Sequence, residues 1–315
     1  MKERNMGKIL VWGEPMFGFY PIDSPRIEKC STLSMTWGGD ASNFAIGVAR
    51  MGYHSVFFTG LGKEPFGDGF IDLWQENGVD VSQVIRDPIR RTGFYFVSFI
   101  DGKHSLTYYR DNSAATAIQF AQLDQQILKD SVVFHFTGTG LGMGVDARAL
   151  CQQIVEAKKK DDCIISFDVN FRKMQWNNPI LAEREISRAI SLGVTHLEIT
   201  DDEMVSLGWG SDLEALIRRF PTLQVIAYKR GPKGVTIRTR EREFDSPAFP
   251  VTVKDTVGAG DSFNVGFILS LLEGKSLEEA ARIGNATAGL TCTGLGPISS
   301  APSRKELDTF LAVQV

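Results

Sequence analysis

The sequence has 315 residues, of which 43% are hydrophobic and 23% charged, and its formal net charge is −4. This composition is typical of a globular protein, and the scattered basic residues argue against a nucleic-acid partner. The four cysteines lie far apart without a CxxC pair, so neither a disulfide framework nor a zinc site is predicted. We recognise no signal peptide and no run of roughly 18 apolar residues that could span a membrane. We therefore expect a cytoplasmic protein without a membrane partner.

Alternating strands and helices are predicted along the chain. Short apolar runs rich in β-branched residues predict strands at 8–12, 55–59, 131–136, 163–167, 195–199 and 224–228. Between the first two, the apolar residues of 41–49 recur at the spacing of one helix face. This alternation predicts an α/β fold with a mostly parallel sheet covered on both faces. We see no repeat or linker, so residues 1–315 are predicted to form a single domain.

Two stretches depart from this alternation. Residues 14–37 are long and irregular, and the runs 94–100 and 105–109 flank Asp101-Gly102-Lys103 as the strands of a hairpin would. We interpret both stretches as one small β-sheet beside the main body. Such a sheet could serve as a lid over a site or as an oligomer contact, and the sequence favours neither.

The segment DTVGAGDSFNVGF at 255–267 carries the clearest chemical signal. Its glycines lead into an apolar helix, so the N–H groups of Gly258, Ala259 and Gly260 are predicted to form an anion hole for phosphoryl oxygens. Asp261 lies at the same helix start, where it could act as a general base or merely cap the helix. The second carboxylate of Asp255 and the lack of bulky residues between the two favour phosphoryl transfer.

Two other glycine-rich segments do not carry a nucleotide signature. Residues 274–276 read GKS, but Leu269 stands where a P-loop has its first glycine. Gly274 is better interpreted as the end of one helix, and Ser276 to Glu279 as the capping box of the next. The glycines of 138–144 miss the spacing of a dinucleotide-binding turn.

Two motifs together resemble the ribokinase-like (PfkB) carbohydrate kinases. The first is the segment 255–267, and the second is WGGDASNFA at 37–45, which is similar to the family's sugar-binding GGxxxN segment. The resemblance implies a three-layer α/β/α domain with a small β-sheet lid built from about 14–37 and 92–112. It also implies transfer of the γ-phosphate of ATP, with Mg²⁺, to a primary hydroxyl of a sugar or sugar acid.

The resemblance assigns roles to individual residues. Asp261 would be the catalytic base, residues 258–260 the anion hole, and Glu203 a metal ligand, with Thr200 replacing the asparagine of the family's NxxE motif. On the nucleotide side it implies Lys229, Gly231, Gly234 and Asn285. On the sugar side it implies Gly38, Gly39 and Asn43.

The acceptor is suggested by two further segments. YYRDNSAA at 108–115 resembles the lid segment of 2-keto-3-deoxygluconate kinases, and FDVNFR at 167–172, followed by Trp176, is similar to DxNxR…W of the same branch. The resemblance implies that Tyr95, Tyr108, Arg110 and Arg172 surround a sugar acid, whose carboxylate suits guanidinium groups. Asp168 and Asn170 would lie close to phosphate or magnesium. Ion pairs for the arginines, strand-end caps for Asp168 and Asn170, and lid packing for the tyrosines remain open alternatives.

Several functional alternatives remain open at this point. A fructokinase or a nucleoside kinase would share the fold, and a sugar sensor could keep the fold without activity. The retained Asp261 and small residues before it favour an enzyme. The resemblance also implies a homodimer formed through the lid and leaves open a monovalent cation such as K⁺ near the Asp255 loop.

Overall fold

The computed structural model describes residues 7–100, 103–176 and 178–313. The strands are β1 Lys8–Trp12, β2 Met16–Pro21, β3 Leu33–Gly38, β4 Ser55–Gly62, β5 Val84–Asp87, β6 Gly93–Ile100, β7 Lys103–Tyr109, β8 Ser131–Thr137, β9 Ile164–Asp168, β10 His196–Thr200, β11 Val225–Lys229, β12 Val235–Arg238 and β13 Glu243–Ser246. The α-helices are α1 Asp40–Arg50, α2 Pro65–Glu76, α3 Gln125–Asp130, α4 Gly138–Leu141, α5 Val145–Lys158, α6 Pro179–Gly193, α7 Asp201–Ser206, α8 Leu213–Arg219, α9 Ala259–Leu272, α10 Leu277–Cys292 and α11 Arg304–Val313.

The large sheet has the strand order β13-β12-β11-β10-β9-β8-β1-β4-β5. Neighbouring strands are parallel except at one edge, where β11, β12 and β13 pair antiparallel. The six strands predicted from apolar runs are all present, and their starts agree to within one residue. The mostly parallel α/β architecture is therefore confirmed.

Two hydrophobic cores lie on opposite faces of the large sheet. In β1, Leu10 and Trp12 point into one core and Ile9 and Val11 into the other, because successive side chains of a strand alternate between faces. Helices α3, α5, α6 and α8 cover the first core, whereas α1, α2, α9, α10 and α11 cover the second. These layers confirm the three-layer α/β/α arrangement.

A separate small sheet has the order β3-β2-β6-β7. Its hairpin of β6 and β7 confirms the predicted one, although the turn at Asp101 and Gly102 lies outside the described residues. The register places aromatic side chains, with rings in contact, on the outer face, which is the face opposite Tyr95 and Tyr108. These residues are Phe17, Phe19, Phe94, Phe96 and Tyr109, of which Phe17 is fully buried against Phe70 of α2. Whether this sheet acts as a lid, and whether 1–315 is one domain, stay predictions.

Several predicted polar residues meet beyond the carboxyl ends of the parallel strands. Strands β9, β10 and β11 end at Asp168, Thr200 and Lys229, so these three side chains lie at the same end of the strands. Ligands of open α/β sheets commonly bind beyond the carboxyl ends of the strands. Among the described residues, no helix is long and apolar enough to cross a membrane.

Candidate active site

Helix α9 begins with a backbone turn that only small residues permit. Gly258 has a φ of +81°, and a Cβ there would lie 2.5 Å from Pro297. In the described part of the chain, the N–H groups of Gly260 and Asp261 have no backbone or side-chain partner. Contrary to the prediction, the N–H of Ala259 is occupied, because it donates to the Thr256 carbonyl over 3.2 Å. Among the described residues, the free donors at this helix start are thus the N–H groups of Gly258, Gly260 and Asp261.

Asp261 lies at this helix start in an environment that favours its protonated form. Burial raises the pKa of its carboxyl to about 7, and the nearby Asp40 carboxylate adds to the rise. Asn43 opposes it by donating from Nδ2 to Asp261 Oδ2 over 2.8 Å. The structure therefore brings together Asp261, the predicted catalytic base, and Asn43, a predicted sugar-binding residue. A carboxyl that titrates near neutral pH is well matched to general-base work.

Asp40 is a site residue that the sequence analysis did not single out. Its Oδ2 accepts hydrogen bonds from Thr139 Oγ1 over 2.5 Å and from Asn170 Nδ2 over 2.6 Å. Asn170 adopts a left-handed φ of +31°, which asparagine tolerates better than most residues. A usable signal was present, because Asp40 begins helix α1 directly after two glycines, and Asp261 likewise lies in the first turn of α9 after a glycine-rich turn.

Lys229 lies behind the start of α9. Its Nζ forms an ion pair with Asp168 Oδ2 at 2.9 Å, and a Cβ on Gly260 would lie 3.4 Å from the same nitrogen. Burial alone would lower the pKa of Lys229, but the Asp168 and Glu203 carboxylates raise it. Asn264, also missed from the sequence, donates to Asp168 Oδ2 over 2.6 Å. A fixed positive charge therefore lies beside the free N–H groups of the helix.

The residues predicted to place magnesium form a helix cap. Glu203 Oε2 accepts from the Thr200 N–H over 2.9 Å, and Oε1 accepts from the Phe171 N–H over 2.8 Å. Thr200 Oγ1 completes the capping box of α7. Burial, with Asp168 nearby, raises the pKa of Glu203. The metal role of Glu203 stays a prediction, and a role through bound water fits this geometry better than direct ligation.

The sugar side is formed by the inner face of the small sheet. Tyr95 and Tyr108 pair across β6 and β7, with ring centroids 6.0 Å apart. The Tyr95 hydroxyl packs against Gly38, where a Cβ would lie 3.3 Å from it. Gly39 has a φ of +104°, and a Cβ there would lie 2.7 Å from the Glu14 carbonyl. Gly38 and Gly39 thus allow the small sheet to approach the start of α1.

The two arginines predicted to bind the carboxylate of the acceptor differ in their surroundings. Arg110 is buried, pairs through Nε with Glu14 Oε2 at 2.6 Å, and donates from Nη2 to the Thr139 carbonyl over 3.0 Å. Its Nη1 has neither an ion-pair nor a hydrogen-bond partner among the described residues. Arg172 is exposed, has no ion pair in the described part of the chain, and lines a cavity of about 250 Å³ with Tyr108. Arg172 is therefore the guanidinium that a ligand can reach most readily.

The nucleotide side is a loop between β11 and β12. Gly231 and Gly234 have φ values of +55° and +86°, and a Cβ on Gly234 would lie 2.2 Å from the Ser246 carbonyl. Asn285 donates from Nδ2 to the Ser246 and Pro247 carbonyls over 3.0 and 3.1 Å. Its amide nitrogen thus holds the loop after β13, and a contact with adenine stays a prediction.

Comparison with known proteins identifies the family. The family model described as pfkB family carbohydrate kinase matches residues 6–304. The 2-dehydro-3-deoxygluconokinase of Bacillus subtilis (strain 168) is 28% identical over 97% of this chain and 95% of its own length. Fructokinase-1 of Oryza sativa subsp. japonica is also 28% identical, over 95% and 96%. The fructokinase of Xylella fastidiosa, solved with bound ATP, superposes with a TM-score of 0.89 at 24% identity, covering 98% of both chains.

The family model covers nearly the whole chain, and the motifs that suggested the resemblance lie together around Asp261. The fold of the solved fructokinase agrees with the three-layer architecture and the small sheet. The protein therefore belongs to the PfkB family of carbohydrate kinases and is a sugar kinase.

Proposed function

We propose that the protein transfers the γ-phosphoryl group of ATP to the primary hydroxyl of 2-keto-3-deoxygluconate, giving the 6-phosphate. The observation that carries this proposal is the placement of Asp261. Its carboxyl has a pKa raised to about 7, accepts a hydrogen bond from Asn43 and lies in the first turn of a helix where the N–H groups of Gly260 and Asp261 are free in the described structure. A base and an anion-binding helix start are thus adjacent, as phosphoryl transfer to a hydroxyl requires.

In this proposal Asp261 accepts the proton of the attacking hydroxyl, while Asn43 and Asp40 hold neighbouring hydroxyls of the sugar. The N–H groups of Gly260 and Asp261 stabilise the charge on the transferred phosphoryl oxygens. Lys229, beside Gly260, adds a positive charge at the same place. Because phosphoryl transfer requires little covalent chemistry from the protein, most of the catalysis comes from positioning the substrates and from electrostatic stabilisation of the transition state.

The site residues fit a magnesium ion that is held mainly by phosphates and water. Among the described residues, no three His, Cys, Asp or Glu side chains are placed to hold a metal together. Magnesium bound with a nucleotide often keeps several waters and takes only one or two carboxylates. Glu203 and Asp168 are the carboxylates on this side, and they would hold the hydrated ion. When bound, the ion would offset the negative charge of the phosphates.

The nucleotide is proposed to lie along the loop 229–234. Gly231 and Gly234 let the backbone of this loop approach the phosphates, and Thr200 would face the same side from the end of β10. Asn285 would border the adenine indirectly, through the loop at 246–247 that it holds. The bound ATP of the Xylella fastidiosa fructokinase supports ATP as the phosphoryl donor. A K⁺ ion near Asp255 stays a prediction; the Asp255 oxygens accept from the N–H groups of Val257 and Gly296.

The choice of a sugar acid rests on Arg172. Its guanidinium is exposed beside Tyr108, and no carboxylate pairs with it in the described structure. A substrate carboxylate would supply that partner. The relative from Bacillus subtilis, which is named 2-dehydro-3-deoxygluconokinase, supports this choice. The fructokinase of Oryza sativa has the same sequence identity to this chain, so fructose is the second candidate.

The small sheet is proposed to have two roles. Its inner face, with Tyr95 and Tyr108, would close over the sugar and exclude water from the reaction. Its outer face exposes Leu33, Met35 and Tyr109 by 42, 45 and 53%, respectively. Contiguous exposed apolar surface of this kind often marks an association site. We therefore propose a homodimer formed by two outer faces, in agreement with the resemblance.

The proposal is tested by ADP release with Mg-ATP and a panel of acceptors: 2-keto-3-deoxygluconate, 5-keto-2-deoxygluconate, fructose, ribose and adenosine. We expect kcat/KM for 2-keto-3-deoxygluconate to exceed that for fructose by more than about tenfold, a preference that one charge-assisted contact can supply. A preference for fructose would replace the sugar acid by a ketose. No turnover with any acceptor would favour a sensor with a kinase fold.

A further inference from the structure

Gln175 has an unusual environment for a glutamine. It is the last residue of the 3-10 turn Lys173–Gln175, and its N–H donates to the Arg172 carbonyl over 2.8 Å. Its side chain folds back onto the turn of α4, where a Cβ on Gly142 would lie 3.3 Å from Gln175 Oε1. Both Oε1 and Nε2 are buried, and neither has a hydrogen-bond partner in the described structure. Buried amides in proteins are nearly always hydrogen-bonded, so this one calls for a partner from outside the chain.

A second unpartnered group lies around the same turn. Arg110 donates from Nη2 to the Thr139 carbonyl over 3.0 Å, while its buried Nη1 has no partner among the described residues. The Thr139 carbonyl is also 3.3 Å from the Cβ position of Gly142 that approaches Gln175. The side chains of Gln175 and Arg110 therefore flank one turn of α4, and both carry unused hydrogen-bonding atoms there.

This turn borders the acceptor side of the site. Arg172 and Tyr108 line the cavity of about 250 Å³, and Gln175 follows Arg172 within one 3-10 turn. Burial raises the pKa of Tyr108, whereas the charges of Arg172 and Arg110 and a polar contact with the Gln175 side chain lower it, so the Gln175 amide lies within reach of the Tyr108 hydroxyl. Thr139, at the same turn, bonds to Asp40 in the catalytic site. The unpartnered atoms thus lie next to residues of the cavity and beside the turn whose Thr139 contacts Asp40.

We propose that Gln175 is a specificity-determining residue that hydrogen-bonds the polar end of the acceptor. This inference rests on the proposed function. A carboxamide offers one acceptor and two donor hydrogens, so Nε2 can donate to a carboxylate or keto oxygen while Oε1 accepts from a neighbouring hydroxyl. Together with Arg110 Nη1 and Arg172, Gln175 forms a set of polar groups that suits a 2-keto sugar acid. A neutral ketose would leave part of this set without partners.

The test is Gln175→Leu, which keeps the approximate volume and removes the amide. With 2-keto-3-deoxygluconate we expect KM to rise about ten- to hundredfold, as for loss of a hydrogen bond to a charged group, while KM for ATP stays unchanged. The thermal midpoint should stay the same or rise, because an unsatisfied buried amide is removed. An unchanged sugar KM, or a fall in thermal midpoint with all kinetic constants affected alike, would overturn the proposal.

Gln175→Glu separates recognition from packing. A carboxylate at this position would repel the carboxylate of the acceptor, so KM should rise more for 2-keto-3-deoxygluconate than for fructose. Equal changes for both acceptors would contradict the role of Gln175 in acid recognition. The matched control is Gln153→Leu, on the exposed face of α5, which should leave every constant unchanged.

The wild-type protein separates this inference from the proposed function. Absence of turnover with every sugar would contradict the proposed function and, with it, this role for Gln175. Turnover by the wild type with an unchanged Gln175→Leu variant would contradict this inference alone.

Discussion

Replacing Asp261 by asparagine tests the electrostatics of the site directly. The structure raises the pKa of Asp261 from 3.8 to about 7, chiefly by burial and by the neighbouring Asp40. A base must be ionised to accept a proton, so kcat/KM for the sugar should rise with pH and level off above about 7. In the Asp261→Asn variant this pH dependence should disappear, and turnover should fall by about 10² to 10⁴.

The magnitude of the effect on stability follows from the same shift. A rise from 3.8 to about 7, at about 1.36 kcal/mol per pH unit, corresponds to about 4 kcal/mol between the two protonation states. Because the pKa is raised in the folded state, this stabilisation is fully present below pH 3.8 and is lost as the pH rises through about 7. Asp261→Asn should therefore stabilise the protein more at pH 8 than at pH 5.

The assay compares wild type and variant by urea unfolding at both pH values and by initial rates from pH 5.5 to 9. Asp308→Asn, an exposed aspartate on α11, serves as the control and should change neither stability nor rate. The reasoning would be refuted by a wild-type kcat/KM that is flat across this pH range. It would also be refuted if the stability gained by the variant over the wild type were no larger at pH 8 than at pH 5.

Three further predictions concern other parts of the molecule. Arg172→Ala should raise KM for 2-keto-3-deoxygluconate about tenfold or more in steady-state kinetics, and should raise KM for fructose much less. An equal rise in KM for both acceptors would reject a contact between Arg172 and the substrate carboxylate. Lys229→Met leaves the Asp168 carboxylate buried without its ion-pair partner, so the free energy of unfolding measured with urea should fall by about 3 to 5 kcal/mol. Adding Asp168→Asn should restore this stability but not turnover. If stability is not restored, loss of the ion pair does not cause the destabilisation. Met35→Glu should shift a dimer towards monomer in sedimentation velocity, whereas Ile89→Glu, at an even more exposed apolar residue outside the small sheet, should not. An unchanged sedimentation coefficient for Met35→Glu would place the dimer contact elsewhere.

The fold was predictable where burial alone decides the structure. Parallel strands that are covered on both faces consist of continuous apolar runs, and these runs located the six consecutive strands from β11 to β4 in the sheet order. Strands β5, β12 and β13 were missed because they have four residues each and mix polar with apolar side chains. Such short strands at the two ends of the sheet are defined by hydrogen bonds to a neighbour, which a local pattern does not reveal.

The site was predictable where a motif carries the chemistry locally. The turn before Asp261 and the helix that follows depend on adjacent residues, so their geometry could be anticipated. The partners of polar groups could not. Arg110 pairs with Glu14 and Asp40 bonds to Asn170, and both pairings join residues far apart in the sequence. The occupied N–H of Ala259 likewise depends on how the preceding loop turns back.

The most direct test of the central claim is the identity of the product. The protein is incubated with Mg-ATP and 2-keto-3-deoxygluconate, and the products are separated and examined by phosphorus NMR and mass spectrometry. The account predicts a phosphomonoester on the terminal carbon, whose phosphorus signal is split into a triplet by the two protons of the CH₂ group. A phosphate ester on a secondary hydroxyl, or inorganic phosphate without any sugar ester, would contradict it.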